Sequence, residues 1–165
     1  MTVKVDRPLG VRRADLADAE GLQCQPFGAL APAMPGENPD WRKCLVREDC
    51  YVYVLEAEHI EGVIAVQPMQ STLMEGQRLA ELLVWYLTEH YRQQGLGRKL
   101  LIHAGTVAKR LGCDQLLLWL TKDQSERAIK VAVRAGFLSV MSRETNNGQG
   151  VKVDQGYALN LEDYF

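Results

Sequence analysis

The stretch Arg78–Leu111, RLAELLVWYLTEHYRQQGLGRKLLIHAGTVAKRL, decides how this chain is read. Leu79–Leu87 is apolar on both faces after Glu81, as a central strand should be. Leu96, Leu100, Ala104, Val107 and Leu111 recur at three- and four-residue steps, which is one apolar stripe of a helix over Gly95–Leu111. Ala104, Gly105 and Ala108 let that helix approach a sheet closely, and Gly112 ends it. Between strand and helix stands Arg92-Gln93-Gln94-Gly95-Leu96-Gly97. Gly95 and Gly97 remove side chains where backbone must come near a ligand. The N–H groups of Gln93–Arg98 are the unpaired donors of a helix start. The helix dipole adds partial positive charge there, and Arg92 and Arg98 add full charges. Strand, glycine turn and helix start together suit an anionic phosphate ligand, with pyrophosphate the natural guest. A tight turn without any ligand uses the same glycines, so the context has to decide.

Two common phosphate loops are excluded by named residues. A P-loop needs GxxxxGK[ST], which Gly95–Lys99 does not supply. A dinucleotide site needs a third glycine near residue 100, where Leu100 stands, and an acid ending the next strand; that strand ends in Thr121-Lys122-Asp123.

Working outward, Gln115–Thr121 (QLLLWLT) is an uninterrupted apolar strand. A strand–helix–strand order makes it parallel to Leu79–Leu87. Upstream, Cys50–Glu56 and Ile60–Gln67 form a hairpin around Glu58-His59, with Pro68 as its stop, and Gln70–Gln77 is a polar loop. Val3–Val5 and Gly10–Arg13 read as a first strand, and Asp15 caps a helix from Leu16 to about Cys24. Four prolines between Cys24 and Trp41 (Pro26, Pro32, Pro35, Pro39) forbid a long helix or central strand. Phe27, Met34 and Trp41 give this loop an apolar side that either pins it to the core or lines a substrate pocket. Pro39 suits the first position of a short helix capped by Asn38 and running to about Arg47. Downstream, Asp123–Glu126 has a capping-box form ahead of a helix over Gln124–Ala135, ended by Gly136. Strands over Phe137–Arg143 and Val151–Asn160 flank a polar loop, Glu144–Gly150. The whole, residues 1–165, reads as a single α/β domain.

The bulk numbers exclude several partners. With 165 residues there is enough chain for one core, and a net charge of −2 provides no basic stripe for nucleic acid. Cys24, Cys44, Cys50 and Cys113 have neither CxxC nor regular spacing, so they read as reduced thiols. His59, His90 and His103 lack ligand spacing, so no metal is expected. Met1–Gly10 has no apolar core of a signal peptide, and no apolar run approaches the roughly 18 residues of a membrane span. The expectation is a cytoplasmic protein with no membrane partner. Met69, Met74, Trp85 and Trp119 read as packing.

With the turn in its context, LTEHYRQQGLGRKLL resembles the acetyl-CoA-binding motif of the GCN5-related N-acetyltransferase (GNAT) superfamily, [Q/R]-x-x-G-x-[G/A] opening a helix after a strand. The Tyr91-Arg92 pair and the RAGF ending of the later helix, Arg134–Phe137, fit the same family. The close resemblance covers Leu79–Phe137, and the remainder agrees in the order of elements. It implies an α/β (α+β) fold: a twisted, mostly antiparallel sheet of about six or seven strands with a central parallel pair that splays, flanked by about four helices. It implies acetyl-CoA as co-substrate and an amine acceptor, a small molecule or a protein amine; homodimers are common in the family. The pantetheine arm would lie in the splay, bonded to backbone at Leu87 and Glu89. The pyrophosphate would sit on Arg92, Gln93, Gln94, Gly95, Leu96, Gly97 and Arg98, and the N–H near Leu87 would serve as oxyanion donor. Ser125 falls where the family often has a pantetheine-binding Asn.

Acetyl transfer to an amine needs a base, a stabilised oxyanion and a protonated leaving thiolate. Glu81 is the candidate base, acting directly or through a water. It lies eleven residues before Arg92, the spacing of the catalytic Glu in the histone-acetylating branch, and its neighbours Ala80, Leu82 and Leu83 are apolar. In a regular strand Glu81, Leu83, Trp85 and Leu87 share one face. The alternative is a solvated carboxylate at a strand's start. The family's general-acid Tyr aligns with Ala132, leaving Tyr86, Tyr157 or water for that task, and Glu89 replaces a common Pro. The function expected is N-acetyl transfer in a ternary complex. The alternative is an acyl-CoA-binding sensor or regulatory module with little catalysis.

Overall fold

The computed structural model describes residues 10–24, 26–32, 40–69, 76–121, 126–146, 148 and 150–163. Its frame is a seven-stranded sheet in the order β1-β2-β3-β4-β5-β7-β6. The strands are β1 (Gly10–Arg13), β2 (Tyr51–Glu56), β3 (Ile60–Met69), β4 (Leu79–Leu87), β5 (Gln115–Thr121), β6 (Leu138–Asn146) and β7 (Val151–Asn160). All neighbours are antiparallel except β4 and β5, which are parallel because helix α3 (Leu96–Arg110) crosses between them. The expected mixed sheet with its central parallel pair is therefore the observed fold.

Each sheet face is covered by its own helices because both faces of the central strands are apolar. On one face α3 and α4 (Glu126–Arg134) bury Leu82, Leu87, Leu100, Leu101, Ala104, Leu118 and Phe137. On the other, α1 (Ala19–Gln23) and α2 (Trp41–Val46) bury Leu22, Phe27, Trp41, Val63, Ala65 and Val84. Gly62 marks where α3 lands: a Cβ there would stand 3.0 Å from Leu87 Cδ1 and 3.3 Å from Leu100 Cδ1. Trp41 is fully buried and its indole N–H donates to the Phe27 carbonyl at 2.8 Å, so these two residues pin the proline-rich loop to the core. Met34 lies outside the described residues.

Several boundaries differ from the sequence reading for local reasons. The first helix divides into a 3₁₀ turn, Leu16–Asp18, and α1, with Asp15 and Asp18 forming a reciprocal capping box. Asp40 caps α2, accepting from the Arg42 N–H at 2.8 Å, so the helix starts later than a cap at Asn38 would place it. Strand β3 runs through Pro68 to Met69. The last β2 partner is Val66, so Pro68 lies beyond β2 and its missing N–H removes no bond on that side. Strand β6 extends to Asn146, taking Glu144 and the two residues after it out of the expected loop. Val3–Val5 and the Asp123–Ser125 cap lie outside the described residues. The Sγ atoms of Cys44 and Cys50 touch at 2.9 Å as free thiols.

Candidate active site

Strands β4 and β5 pair only from Leu79↔Gln115 to Leu82↔Leu118. Beyond that, β4 stays with β3 as far as Leu87↔Gly62, and β5 stays with β7 as far as Thr121↔Asp154. The two strands therefore continue apart. The parting coincides with a β-bulge: Ala65 faces Val84 and Val66 faces Leu82, so Leu83 is an extra residue in β4. A bulge bends its strand and increases local twist, which carries β4 away from its parallel neighbour. The gap is a cavity of about 150 Å³ lined by Leu82, Val84, Trp85, Leu118, Trp119 and Leu120 among others.

The free edge of β4 faces this gap. The Thr88 N–H donates to the Glu61 carbonyl of β3 at 2.8 Å. By antiparallel alternation Leu87 and Trp85 turn their backbone groups the other way, toward the splay. Leu87 thus presents its N–H to the gap. Its carbonyl accepts from Arg92 Nε at 2.8 Å. Glu89 is exposed, in a 3₁₀ turn over Glu89–Tyr91, and its carbonyl accepts from the Arg92 N–H at 3.2 Å. Of the backbone groups at Leu87 and Glu89, both carbonyls therefore already have protein donors. The Trp85 N–H, two residues nearer Glu81, is a further donor that sequence reasoning did not single out.

The turn itself is built for open amides. Gln93 and Gly95 both adopt left-handed backbone, φ 67° and 78°. Such a turn makes successive N–H groups converge on a concavity. Among the described residues, the N–H groups of Gln93–Arg98 have no backbone acceptor, and the first helical bond in this turn is Lys99 N–H to Gly95 carbonyl at 3.1 Å. Leu96 anchors the helix start in the core, while Gln94 donates to the His90 carbonyl at 3.2 Å and Arg98 is exposed. Trp85 Nε1 donates to the Gly97 carbonyl at 3.2 Å, tying the turn to β4. Arg92 is folded back, its guanidinium 5.3 Å from the Tyr86 ring centre. Arg127 of α4 reaches the turn instead: the Gln93 side-chain oxygen, with its amide oriented to accept, takes Nη1 and Nη2 at 2.5 and 3.1 Å. No spacing in the sequence signals that contact, because it arises from how α4 docks. Ser125 lies outside the described residues.

Glu81 does not share a face with Trp85 and Leu87. The bulge at Leu83 shifts the alternation, so Trp85 and Leu87 pack toward α3 while Leu83 and Tyr86 pack toward the α1/α2 face. Glu81 is partnered by Gln67 and Leu117 in the sheet, one residue out of phase with Leu82 and hence on the α1/α2 face. Burial pushes its carboxyl above the ordinary range, and Arg143 partly opposes this. Arg143 in turn lies 4.1 Å over the Trp119 ring and bonds Asp154 through Nε at 3.2 Å. Ala132 is fully buried on the inner face of α4, Tyr157 packs on that same side, and Tyr86 meets Phe27 edge-on on the other face of the sheet. Among the described residues no cluster of His, Cys, Asp and Glu is arranged to hold a metal, and no helix is long and apolar enough to cross a membrane.

The sequence profile of the acetyltransferase (GNAT) family matches residues 18–137, most of the chain and all of the splayed pair and its turn. The chain belongs to the acetyltransferase (GNAT) family. As a GNAT protein it has many structural relatives. NAA60 from Arabidopsis thaliana in complex with acetyl-CoA aligns at a TM-score of 0.76 and 16% identity, covering 93% of this chain and 99% of that one. The ribosomal-protein-S18-alanine N-acetyltransferase from Escherichia coli aligns at 0.69 and 18%, covering 93% and 94%. The ribosomal-protein-S5-alanine acetyltransferase from Vibrio fischeri aligns at 0.71 and 14%, covering 96% of each chain. At these identities the likeness establishes the GNAT fold. No curated protein matches the sequence.

Proposed function

We propose that this GNAT protein moves the acetyl group of acetyl-CoA to a primary amine by direct transfer in a ternary complex. The observation that carries the reading is the splay itself. A slot opens between β4 and β5, one wall is a free backbone edge, and its mouth is a turn of unbonded amides. A linear thioester with a diphosphate at one end fits that order of features. The diphosphate takes the N–H groups of Gln93–Arg98. The thioester carbonyl takes the N–H of Leu87, with Trp85 as a second donor on the same edge. An N–H donor aimed into an apolar slot stabilises developing negative charge more strongly than water does.

Glu81 approaches from the α1/α2 face of the sheet, so the amine enters from that side and loses its proton to Glu81 directly or through a water. The raised carboxyl is a stronger base than an exposed glutamate. The thiolate leaves without the family's usual Tyr, whose place Ala132 occupies, and is protonated from Tyr86, Tyr157 or water. That absence favours a second reading, a CoA-binding module with little turnover.

Calorimetry with acetyl-CoA tests the donor site, and absence of binding at high micromolar ligand ends both readings. Thiol release across a panel of small amines and peptides separates them. Turnover that collapses in Glu81→Gln while acetyl-CoA still binds supports the enzyme; tight binding with no thiol release from any acceptor supports the module.

A further inference from the structure

Resting on the reading that acetyl-CoA is the donor, we propose that Arg127 binds the diphosphate of the donor and that Gln93 is its positioning residue. Gln93 is the one non-glycine residue with positive φ among those described, at 67°. Left-handed backbone at a side chain larger than glycine is unfavourable, and glycine is already used two positions on, at Gly95. A side chain retained in that conformation should therefore have a task. With its amide oriented to accept, its oxygen takes both Nη atoms of Arg127, at 2.5 and 3.1 Å, which ties α4 to the amide turn.

The manner of the contact points to a phosphate. Both guanidinium Nη groups already point at the turn, and that pair of donors is what Arg uses to grip the oxygens of a phosphate. An amide oxygen carries only a partial charge, so a phosphate oxygen arriving on the adjacent N–H groups of Gln93–Arg98 competes for the same fork and forms the stronger pair. Arg92, the cation the motif puts forward, is committed elsewhere: its Nε bonds the Leu87 carbonyl and its guanidinium lies by Tyr86. Arg127 is exposed and its guanidinium reaches the turn at Gln93. The diphosphate is the phosphate assigned here because Gln93, the residue that holds the fork, belongs to the turn.

The test measures affinity of the full chain for acetyl-CoA, 3′-dephospho-acetyl-CoA and S-acetyl-pantetheine by calorimetry, with thermal melts as a folding check. Arg127→Gln should weaken the first two equally, by about tenfold or more as for a hydrogen bond to a charged group, and leave S-acetyl-pantetheine unchanged. Arg127→Lys should recover part of the loss, since it restores charge without the fork. Gln93→Gly should raise the melting temperature and yet weaken acetyl-CoA, a split that a structural role alone does not give. Unchanged acetyl-CoA affinity in Arg127→Gln overturns the proposal. A loss confined to acetyl-CoA and absent with the dephospho analogue also overturns it, by assigning Arg127 to the 3′-phosphate. If the wild-type chain fails to bind acetyl-CoA, the donor reading itself falls and takes this proposal with it.

Discussion

Two glycines of the phosphate turn should respond to alanine with opposite signs. Gly95 has φ 78° and nothing within 4 Å of an added Cβ. A methyl group there meets no atom, so the whole penalty is conformational, about 1–2 kcal/mol for an L-residue in left-handed backbone. Gly97 stands two residues on, in the first turn of α3, in helical backbone. A Cβ at Gly97 would lie 3.5 Å from Trp85 Cζ2 and 3.9 Å from Val131 Cγ1, ordinary contact distances. Alanine in a helix is favoured over glycine by roughly 0.5–1 kcal/mol, with the smaller figure apt for a first turn. Unfolding of a chain this size shifts by about 2–4 °C per kcal/mol. Gly95→Ala should therefore melt a few degrees below wild type and Gly97→Ala slightly above it, in scanning calorimetry at equal concentration without ligand. The added methyl at Gly97 faces Trp85 and Val131, inside the protein, so acetyl-CoA binding should survive. A Gly95→Ala melt at or above wild type would refute the assignment of left-handed backbone to the turn. A large loss in Gly97→Ala would refute the packing described for α3.

Other outcomes follow from single residues. Burial raises the Glu81 carboxyl above its unfolded value, so its favourable contribution is present below the unfolded pKa and is lost as pH rises through the folded one. Glu81→Gln should then be more heat-stable than wild type near neutral pH, with the difference fading on acidification. The same variant should lose the acidic limb of the kcat/KM profile, which in wild type should lie above the ordinary carboxylate range. Trp41→Phe shrinks a fully buried indole to a single ring and removes the donor to the Phe27 carbonyl; chemical denaturation should show a loss of at least about 1–3 kcal/mol from the unsatisfied buried group, with the cavity adding to it. Cys24 is exposed and Cys44, Cys50 and Cys113 are buried, so a thiol reagent followed by mass spectrometry should label Cys24 first and the others only on unfolding.

The sequence made the central unit legible because its signals were strong and local. Seventeen residues from Gly95 to Leu111 carry one apolar stripe, Gln115–Thr121 is apolar without a break, and their order requires a parallel crossover. The positions of Leu87, Glu89 and the turn around Gln93–Arg98 follow from that unit. The bulge at Leu83 was not legible: Leu82, Leu83 and Val84 are all apolar, so nothing in composition marks which is the extra residue, and the shared face assigned to Glu81 and Leu87 was wrong for that reason. Arg127 was missed because its place depends on how α4 docks. The start of α2 was misplaced because Asn38, Pro39 and Asp40 are adjacent residues that each suit a helix start, and the extent of β3 was misjudged because an edge tolerates a proline that a central strand does not.

The bulge in β4 also separates two inheritances. Before Leu83 the strand's outward side chains answer to the α1/α2 face; after it, the pattern restarts one residue later. Substitutions upstream can retune the α1/α2 face without rotating Trp85 or Leu87, and changes downstream leave Glu81 where it is. A single additional residue thus lets one strand present two faces whose side chains can diverge independently.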